Sequence, residues 1–493
     1  MSASLSNGEL PPGPEDKPAL DKSLRSSWIA LCGLGAVFLV EMLDNSLLNV
    51  ALPSIGRDVG ASTAGLQWVT SIYAIIFGSL MLFFGALADR AGRKRIMLIG
   101  IGLLGVASLL TAFVTTTPEL IAVRAAMGVA AAMTTPGSLA LAFRLFESDE
   151  LRVRATTLIS TIGLIGLALG PALGGFVLSF APWQVLLLVN APIAVVAGLC
   201  VLWGIPRDDA DERHGAPLDV VGSILGSATI VLLLIAPTAF VHEGLSALAP
   251  WLCVAGAIAG GALFVVWSRR SRNPLVDLAL VRRPLVSSGL AYKAATGIAT
   301  AGLGFFVTLQ LQLAWGWTPF WAAIGMLPQV VVLLAGGLIV GPVVRRLGLD
   351  RVAWLSAGAV VVGLAVFAVL GWAGYPWVAI SLILVALGIR FNGIVAGTNV
   401  MRGMPPTQTT MGAALVDTAT EVASGIGVAI AGTVLAVLFG GNVTTVPWSS
   451  ANHSEFALAT LLGGGFLTVL AALLVAWGFV ASKKPSGEER PKD

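Results

Sequence analysis

The stretch from residue 64 to residue 115 decides the fold: AGLQWVTSIYAIIFGSLMLFFGALADRAGRKRIMLIGIGLLGVASLLTAFVT. Two apolar runs, 64–87 and 95–115, flank a short loop rich in arginine and lysine. Each run has roughly the 20 apolar residues that a helix needs to cross a bilayer. The alternating pattern of a membrane β-barrel is absent. The stretch therefore predicts two membrane helices joined by a tight turn.

The composition of the whole chain agrees with this prediction. Of 493 residues, 56% are hydrophobic and only 11% are charged, whereas soluble domains carry about 25% charged residues. Too little polar surface remains to face water, so membrane lipid is the expected surrounding. The net charge is +3 and the basic residues form no stripe, which excludes nucleic acid as a partner. Three scattered cysteines and three loop histidines predict no metal site.

Fourteen spans are predicted by the same length criterion. They lie at 28–54, 64–87, 95–115, 118–143, 154–180, 184–205, 218–240, 248–268, 285–313, 319–344, 352–372, 376–401, 409–440 and 455–481. Lysine and arginine concentrate in alternate loops, and the opposite loops contain only Arg57. Basic loops stay in the cytoplasm. We therefore expect a multi-pass protein of the inner or plasma membrane with both termini cytoplasmic.

The spans and loops divide the chain into five parts. We predict polar, disordered tails at its two ends, two bundles of six helices, and a linker between the bundles that carries two inserted membrane helices. The loops that begin at Gly85 and Gly341 have similar sequences, as internal repeats of transporters do. The predicted fold is all-α, with these boundaries: 1–27 tail, 28–205 first bundle, 206–284 linker with the inserted pair, 285–481 second bundle and 482–493 tail.

Charged residues inside the predicted spans are the strongest functional signals, because each costs roughly 2.5–3.5 kcal/mol at a helix centre. Glu41 and Asp44 share one helix face, and Asp417 and Glu421 share another. We expect both pairs to face the interior of the bundle. The complete set is Glu41, Asp44, Arg124, Lys293, Arg390, Asp417 and Glu421.

Asp44 and Arg124 are predicted at similar depth, which makes an ion pair between them plausible. Such a pair either locks two helices or forms a proton site, because burial and a neighbouring base act oppositely on a carboxyl group. Close carboxylates can also share a proton, so Glu41 and Glu421 are further candidates. Lys293 and Arg390 are either counterions of Asp417 and Glu421 or contacts for an anionic group of a substrate.

The energy source and the reaction class are limited by absent motifs. The chain has no Gly-x-x-x-x-Gly-Lys-Ser/Thr phosphate loop, so we expect an ion or substrate gradient to supply the energy. A cluster of His, Asp or Cys at one membrane face, typical of integral-membrane enzymes, is also missing from the sequence. We therefore predict no enzyme activity and no cofactor, with the proton as coupling ion.

Four motifs resemble the major facilitator superfamily, and in particular its fourteen-helix drug:proton antiporter branch. The segment Gly85-x-Leu-Ala-Asp89-Arg90-x-Gly92-Arg93-Lys94 resembles a cytoplasmic gating loop. The segment Leu43–Pro53 is similar to the first-helix signature, and Arg124-x-x-x-Gly128 resembles a fourth-helix proton-transfer motif. The fifth span carries a run that resembles the antiporter motif, although small residues there are also typical of a packing seam: Gly166, Gly170, Pro171, Gly174 and Gly175.

The resemblance implies a proton-coupled antiporter that exports amphipathic drugs or antibiotics by alternating access. An exporter or symporter of one specific metabolite is the alternative, with Arg390 or Lys293 as the contact if that metabolite is anionic. Arg390 stands where the branch typically has a small residue, a departure that bears on the class of substrate. We expect a small-molecule substrate and a monomer. The residues expected to couple protons are Asp44, Glu41, Arg124, Asp417 and Glu421. Those expected to line the substrate cavity are Arg390, Lys293, Asn49, Gln310 and Asn392.

Overall fold

The computed structural model describes residues 24–146, 148–208, 219–243, 246–272, 274–404, 409–439, 442–444 and 447–483, and all regular elements in these ranges are helical. Most of the two predicted tails and residues 209–218 of the predicted linker lie outside the described residues. The all-α prediction therefore holds for the part of the chain that the structure describes.

Helices follow one another along the described parts of the chain. The first block comprises α1 (Trp28–Asp58), α2 (Thr63–Ala91), α3 (Arg93–Leu110), α4 (Thr117–Leu145), α5 (Asp149–Val177), α6 (Gln184–Leu188) and α7 (Asn190–Gly204). The middle contains α8 (Val220–Glu243), α9 (Leu248–Arg270) and the short α10 (Leu278–Val281). The second block comprises α11 (Pro284–Leu309), α12 (Pro319–Gly325), α13 (Leu327–Leu347), α14 (Leu349–Leu370), α15 (Tyr375–Gly403), α16 (Thr409–Leu438) and α17 (Ser450–Ser482).

Two predicted spans are each built from two helices. Helices α6 and α7 meet at Val189, where Pro192 lacks the N–H that would bond to the Leu188 carbonyl. Helices α12 and α13 are bent by 43°, and Pro328 at the start of α13 leaves the Ile324 carbonyl without its helical donor in the same way.

Twelve spans of the described residues, with α6–α7 counted as one, are long and apolar enough to cross a membrane, and the bent pair α12–α13 would make thirteen. In α8, only Val220–Ala236 qualifies, as a shorter apolar helix. The structure thus supports twelve to thirteen of the fourteen predicted spans.

The same packing pattern occurs in both blocks. In the first block α1 packs on α5 and α7, α2 on α4, and α3 on α7. In the second block α11 packs on α16 and α17, α13 on α15, and α14 on α17. These pairs correspond one to one when α1–α5 and α7 are matched to α11 and α13–α17.

The two similar loops adopt the same conformation. Gly92 joins α2 to α3 with a φ of 106°, and Gly348 joins α13 to α14 with a φ of 79°. Both angles lie in the region that favours glycine. The sequence echo between these loops therefore corresponds to a repeated helix–glycine–helix turn.

Helix α8 lies across the line where the two blocks meet. It packs on α2 of the first block and α16 of the second, whereas α9 packs mainly on α8. The Ser227 hydroxyl donates to the Ser79 carbonyl of α2 at 2.6 Å, and Leu234 lies against Gly425 of α16. Helix α8 thus contacts both blocks, and α9 lies against α8.

The blocks meet closely at the outer end, which we define as the end opposite Trp28 and Ser482. Gln312 donates to the Val50 carbonyl at 2.8 Å, and Asn442 donates to the Ala61 carbonyl at 3.0 Å. At the opposite, inner end, Gly393 and Gly397 of α15 have no atom within 4 Å of an added Cβ. Free space therefore borders the inner half of α15.

Candidate functional site

A buried ion pair joins α1 to α4. Arg124 and Asp44 are 0% and 2% exposed, and the Arg124 Nη1 donates to the Asp44 Oδ2. Asn190 at the start of α7 donates from Nδ2 to the Asp44 Oδ1 at 2.7 Å. The guanidinium carbon of Arg124 lies 4.6 Å from the centre of the Tyr73 ring. The pair predicted from depth is therefore present, and two further helices, α2 and α7, contribute to its surroundings.

The ion pair leaves hydrogen-bonding capacity unused. The Arg124 Nε and Nη2 are buried and have no hydrogen-bond partner among the described residues. Unpaired buried donors are costly, so this guanidinium is suited to bind a further acceptor.

A second group of charges lies between the blocks. We call Glu41, Asp417, Glu421 and Lys293 the carboxylate cluster. The hydroxyl of Thr135 in α4 donates to the Glu41 Oε2, and Glu41 interacts electrostatically with both Glu421 and Asp417 of the second block. The Cβ of Glu421 lies 3.3 Å from the position that a Cβ on Gly78 of α2 would take. Acids from both blocks therefore face one another across the interface.

Lys293 of α11 supplies the positive charge of the cluster. It interacts electrostatically with Asp417 and Glu421, but it forms no ion pair or hydrogen bond among the described residues. Lys293 and Arg390 are the two predicted counterions for these acids, and Lys293 is the one that lies near them. Three carboxyl groups and one ammonium group give the cluster a capacity for protons or for a cationic group.

Arg390 lies apart from the cluster. It is in the middle of α15, half-buried, with its Cγ 2.9 Å from an added Cβ on Gly336 of α13. Its Nε is buried without a partner, and no carboxylate of the described residues forms an ion pair with it. Arg390 is thus a cation without a counterion among the described residues.

The three remaining polar residues predicted for the cavity occupy different surroundings. Gln310 is fully buried and donates to the Gly371 carbonyl at 2.8 Å, and Asn392 donates to the Tyr292 carbonyl at 2.9 Å. Both hold neighbouring helices of the second block together. Asn49 is partly exposed, and its Nδ2 lies 3.6 Å from an added Cβ on Gly304. Of the three, Asn49 has the location expected of a residue that lines the interface.

The predicted gating loop is held by an acid from further along the chain. Asp208 follows α7, and its two carboxylate oxygens accept the backbone N–H groups of Lys94 and Arg95 at 3.2 Å each. It also pairs with Arg144 of α4 at 3.4 Å. The Lys94 ammonium group donates to the Leu202 carbonyl at 2.7 Å. These contacts join the ends of α3, α4 and α7.

The residues predicted for the loop itself are placed as follows. Gly85 lies beside Pro136 of α4, Gly92 forms the turn, Arg90 is exposed and Arg93 is partly buried. The side chain of Asp89 lies outside the described residues. Asp208 was not predicted as a functional residue, because it lies in a strongly charged linker. The sequence there does not distinguish one acidic residue from the next.

The glycine run of α5 packs against α1 and α12. An added Cβ on Gly166 would lie 2.9 Å from the Leu39 carbonyl, and one on Gly174 would lie 3.2 Å from the Leu47 side chain. Gly170, which precedes Pro171, packs directly against Ser46. Gly175 contacts Pro319 and Ala323 of the second block. The run therefore serves both as a seam within the first block and as an outer contact between the blocks.

Three residues that the sequence did not predict as part of the site contact its charged side chains. Asn190, Tyr73 and Thr135 hold the charged side chains of the first block. Asn190 could have been found as a polar residue within the apolar run 184–205. Tyr73 and Thr135 carry no such signal, since neutral polar residues are common in membrane helices.

Comparison with known proteins agrees with this architecture. Residues 34–428 match the model of the Major Facilitator Superfamily. The chain is 30% identical over 453 residues to the multidrug efflux pump LfrA of Mycolicibacterium smegmatis, covering 91% of this chain and 89% of that one. It is 30% identical over 457 residues to the cephamycin export protein CmcT of Amycolatopsis lactamdurans, covering 89% and 88% of the two chains.

A solved structure supports the same fold. A bacterial homologue of the human lysosomal transporter Spinster, in an inward-facing and unoccupied conformation, superposes with a TM-score of 0.66. It is 16% identical and covers 93% of this chain and 97% of that one. The match over most of the sequence and the shared fold identify a transporter rather than an enzyme. This multi-pass membrane protein belongs to the major facilitator superfamily.

Proposed function

We propose that the protein is a proton-coupled antiporter that exports amphipathic drugs or antibiotics by alternating access. It acts as a monomer in the inner or plasma membrane, with both termini in the cytoplasm. The coupling ion is the proton, and no other cofactor takes part. The drug-exporting relatives support the class of substrate at the level of the family.

This proposal is supported above all by the closeness of carboxyl groups from the two blocks. Glu41 of α1 and Glu421 of α16 interact across the interface, next to the buried pair of Asp44 and Arg124. When the blocks rock, the burial of these groups and their distance from the cations change. Both factors govern proton affinity. A site of this kind can exchange a proton for a positively charged or polar substrate.

Alternating access is supported by the unequal ends of the molecule. Close contacts join the blocks at the outer end, such as Gly175 with Ala323, while free space borders the inner half of α15. The solved relative with the similar fold faces inward. With cytoplasmic termini, this arrangement is the state that receives a substrate from the cytoplasm.

Membership of the fourteen-helix branch is supported by the middle helices. α9 meets the criteria for a membrane span, and its partner α8 has 24 residues, although a shorter part of it meets the hydropathy criterion. Together with the bent pair α12–α13 they complete a count of fourteen. We accordingly place the two six-helix bundles at 28–205 and 285–481, with the inserted pair between them.

A second candidate function is the export or symport of one anionic metabolite. Arg390, a membrane-embedded cation without a described counterion, favours it. A substrate panel separates the candidates: efflux of several cationic dyes supports the antiporter of amphipathic drugs. Loss of transport for one anion alone in Arg390→Ala supports the metabolite carrier.

Energised inside-out membrane vesicles test the leading proposal. We expect them to accumulate the organic cation ethidium, and to lose it when a protonophore collapses the proton gradient. Vesicles that contain the Asp44→Asn variant are the control and should accumulate none. Uptake that persists in the presence of the protonophore would exclude proton coupling.

A further inference from the structure

Arg390 is a membrane-embedded cation that the coupling site does not use. Nothing described pairs with it, its Nε is buried without an acceptor, and Lys293 is the cation that compensates Asp417 and Glu421. A charged side chain at this depth is costly and usually serves a function. The structure therefore suggests that a group of a bound ligand accepts a hydrogen bond from the Arg390 guanidinium.

The side of α15 that carries Arg390 faces the space between the blocks. Ala386, Arg390, Gly393 and Gly397 recur at helical spacing on one face. Ala386 packs in a cluster with Ala168 of α5, across the interface. Gly393 and Gly397, closer to the inner end, have no atom within 4 Å of an added Cβ. The guanidinium is thus located where the free space between the blocks ends.

The cavity consequently has two poles of opposite charge. Arg390 is on α15, in contact with α13, whereas Asp417 and Glu421 are on α16 at a comparable depth and face α2 and α11. Helices α15 and α16 are neighbours, and the axes of neighbouring helices lie ~8–10 Å apart. One small amphipathic molecule can span that separation.

We propose that Arg390 forms an anion subsite of the transport cavity, so that the protein binds zwitterionic amphipathic molecules. The carboxylate of such a molecule pairs with Arg390, and its cationic group lies against the carboxylate cluster. Guanidinium suits this role because its planar array of donors matches a carboxylate. The inference rests on the proposed function for the existence of the cavity, and it adds the class of substrate.

Two dyes that differ by one methyl ester test the proposal. Rhodamine 110 carries a free carboxylate beside its cationic ring system, and rhodamine 123 is the corresponding methyl ester. Binding of each to the purified full-length protein in detergent is measured by fluorescence anisotropy. No proton gradient is involved, so failure of proton coupling would leave this measurement intact.

We expect Arg390→Gln to weaken binding of rhodamine 110 roughly tenfold or more. The affinity for rhodamine 123 should change by less than about threefold, because only rhodamine 110 loses a charge-assisted hydrogen bond. Arg390→Lys should recover part of the affinity. Arg402→Gln, the same change at an exposed position of the same helix, should affect neither dye. Asp417→Asn should weaken both dyes to a similar extent.

Stability distinguishes a ligand contact from a structural one. Since Arg390 has no described partner, its replacement by glutamine should leave the melting temperature unchanged or raise it. Equal loss of both dyes with a lowered melting temperature would show a structural role and overturn the proposal. So would unchanged binding of rhodamine 110 by Arg390→Gln, or failure of the wild-type protein to bind rhodamine 110.

Discussion

Asp44 depends on two donors for its buried charge. Arg124 and Asn190 each donate to one of its carboxylate oxygens, and the Arg124 guanidinium keeps two donors without a described acceptor. Pairing of this kind makes the charge tolerable in the membrane interior. It also makes Asp44 sensitive to any movement of α4 or α7.

Removing one member of this pair should destabilise the protein. Asp44→Asn leaves the Arg124 charge uncompensated, and breaking a buried pair costs roughly 3–5 kcal/mol. We expect a lower melting temperature in detergent and no proton-driven transport. Combining Asp44→Asn with Arg124→Gln should restore most of the stability but none of the transport. A double variant as unstable as the single one would contradict this account.

The sequence predicted the charged residues of the site better than the neutral ones. Glu41, Asp44, Arg124 and Lys293 stand out because a charge is expensive within an apolar run. Thr135 and Tyr73 do not stand out, and only the tertiary packing of α2 and α4 brings them to those charges. Which acid a charged side chain meets also depends on the rotation of its helix about the helix axis. Lys293 lies near Asp417, whereas Arg390, which is also a charge within an apolar run, does not.

The turn between α2 and α3 shows how one element depends on glycine. Gly92 has a positive φ of 106°, and an added Cβ would collide with the carboxylate of Asp208. That carboxylate accepts the first N–H groups of α3. The conformation of the turn and the cap of α3 are therefore linked.

Two matched alanine substitutions separate these contributions. Gly348→Ala introduces the unfavourable φ where an added Cβ meets no atom within 4 Å, and should cost roughly 1–3 kcal/mol. Gly92→Ala adds the collision with Asp208 and should lower the melting temperature further. Thermal unfolding in detergent, followed by tryptophan fluorescence, compares the two. Equal effects would show that Asp208 does not restrict this turn.

The contact of α5 with α12 belongs to the outer closure. An added Cβ on Gly175 would lie 2.5 Å from the Pro319 carbonyl and against the Ala323 side chain. We expect Gly175→Val to separate the blocks at this end and to favour the state that is open outward. A cysteine placed at Leu178, which packs against the cores of both blocks, should then react faster with a membrane-impermeant maleimide in a variant without the three native cysteines.

Gly198→Val is a suitable control for this experiment, because Gly198 packs within the first block, where an added Cβ would lie 3.4 Å from the Ile101 side chain. The labelling rate of the control should equal that of the parent. An unchanged rate in Gly175→Val as well would contradict a role of this contact in outer closure.

At the level of elements, hydropathy located the spans but not their breaks. The predicted spans 184–205 and 319–344 correspond to α6–α7 and α12–α13, each interrupted near a proline. Pro171 and Pro53, by contrast, lie inside continuous helices. Whether a proline interrupts a span depends on how its neighbours pack, which sequence alone does not contain.

The whole molecule combines a repeated packing pattern with unequal ends. The repeat was predictable from the similar loops at Gly85 and Gly341, because the same turn leads to the same helix pairing. The closed outer end was not predictable, since it depends on contacts between distant segments such as Gln312 with Val50. The position of α8 across α2 and α16 is likewise a property of the assembled blocks.

In an antiporter, the proton and the substrate compete for one binding site. If the acids between the blocks exchange protons for a cationic group, binding of a substrate must displace protons even without a membrane. This linkage is required by thermodynamics whenever two ligands bind one site in exchange. It distinguishes an antiporter from a uniporter or a symporter.

Proton release on binding of ethidium reports this competition without a membrane. Ethidium is added to the purified protein in weakly buffered detergent solution, and the pH change is followed with an indicator dye. We predict that saturating ethidium releases protons from the wild-type protein, and fewer from a variant that combines Glu41→Gln, Asp417→Asn and Glu421→Gln. Saturable binding of ethidium without proton release, or with proton uptake, would contradict the account.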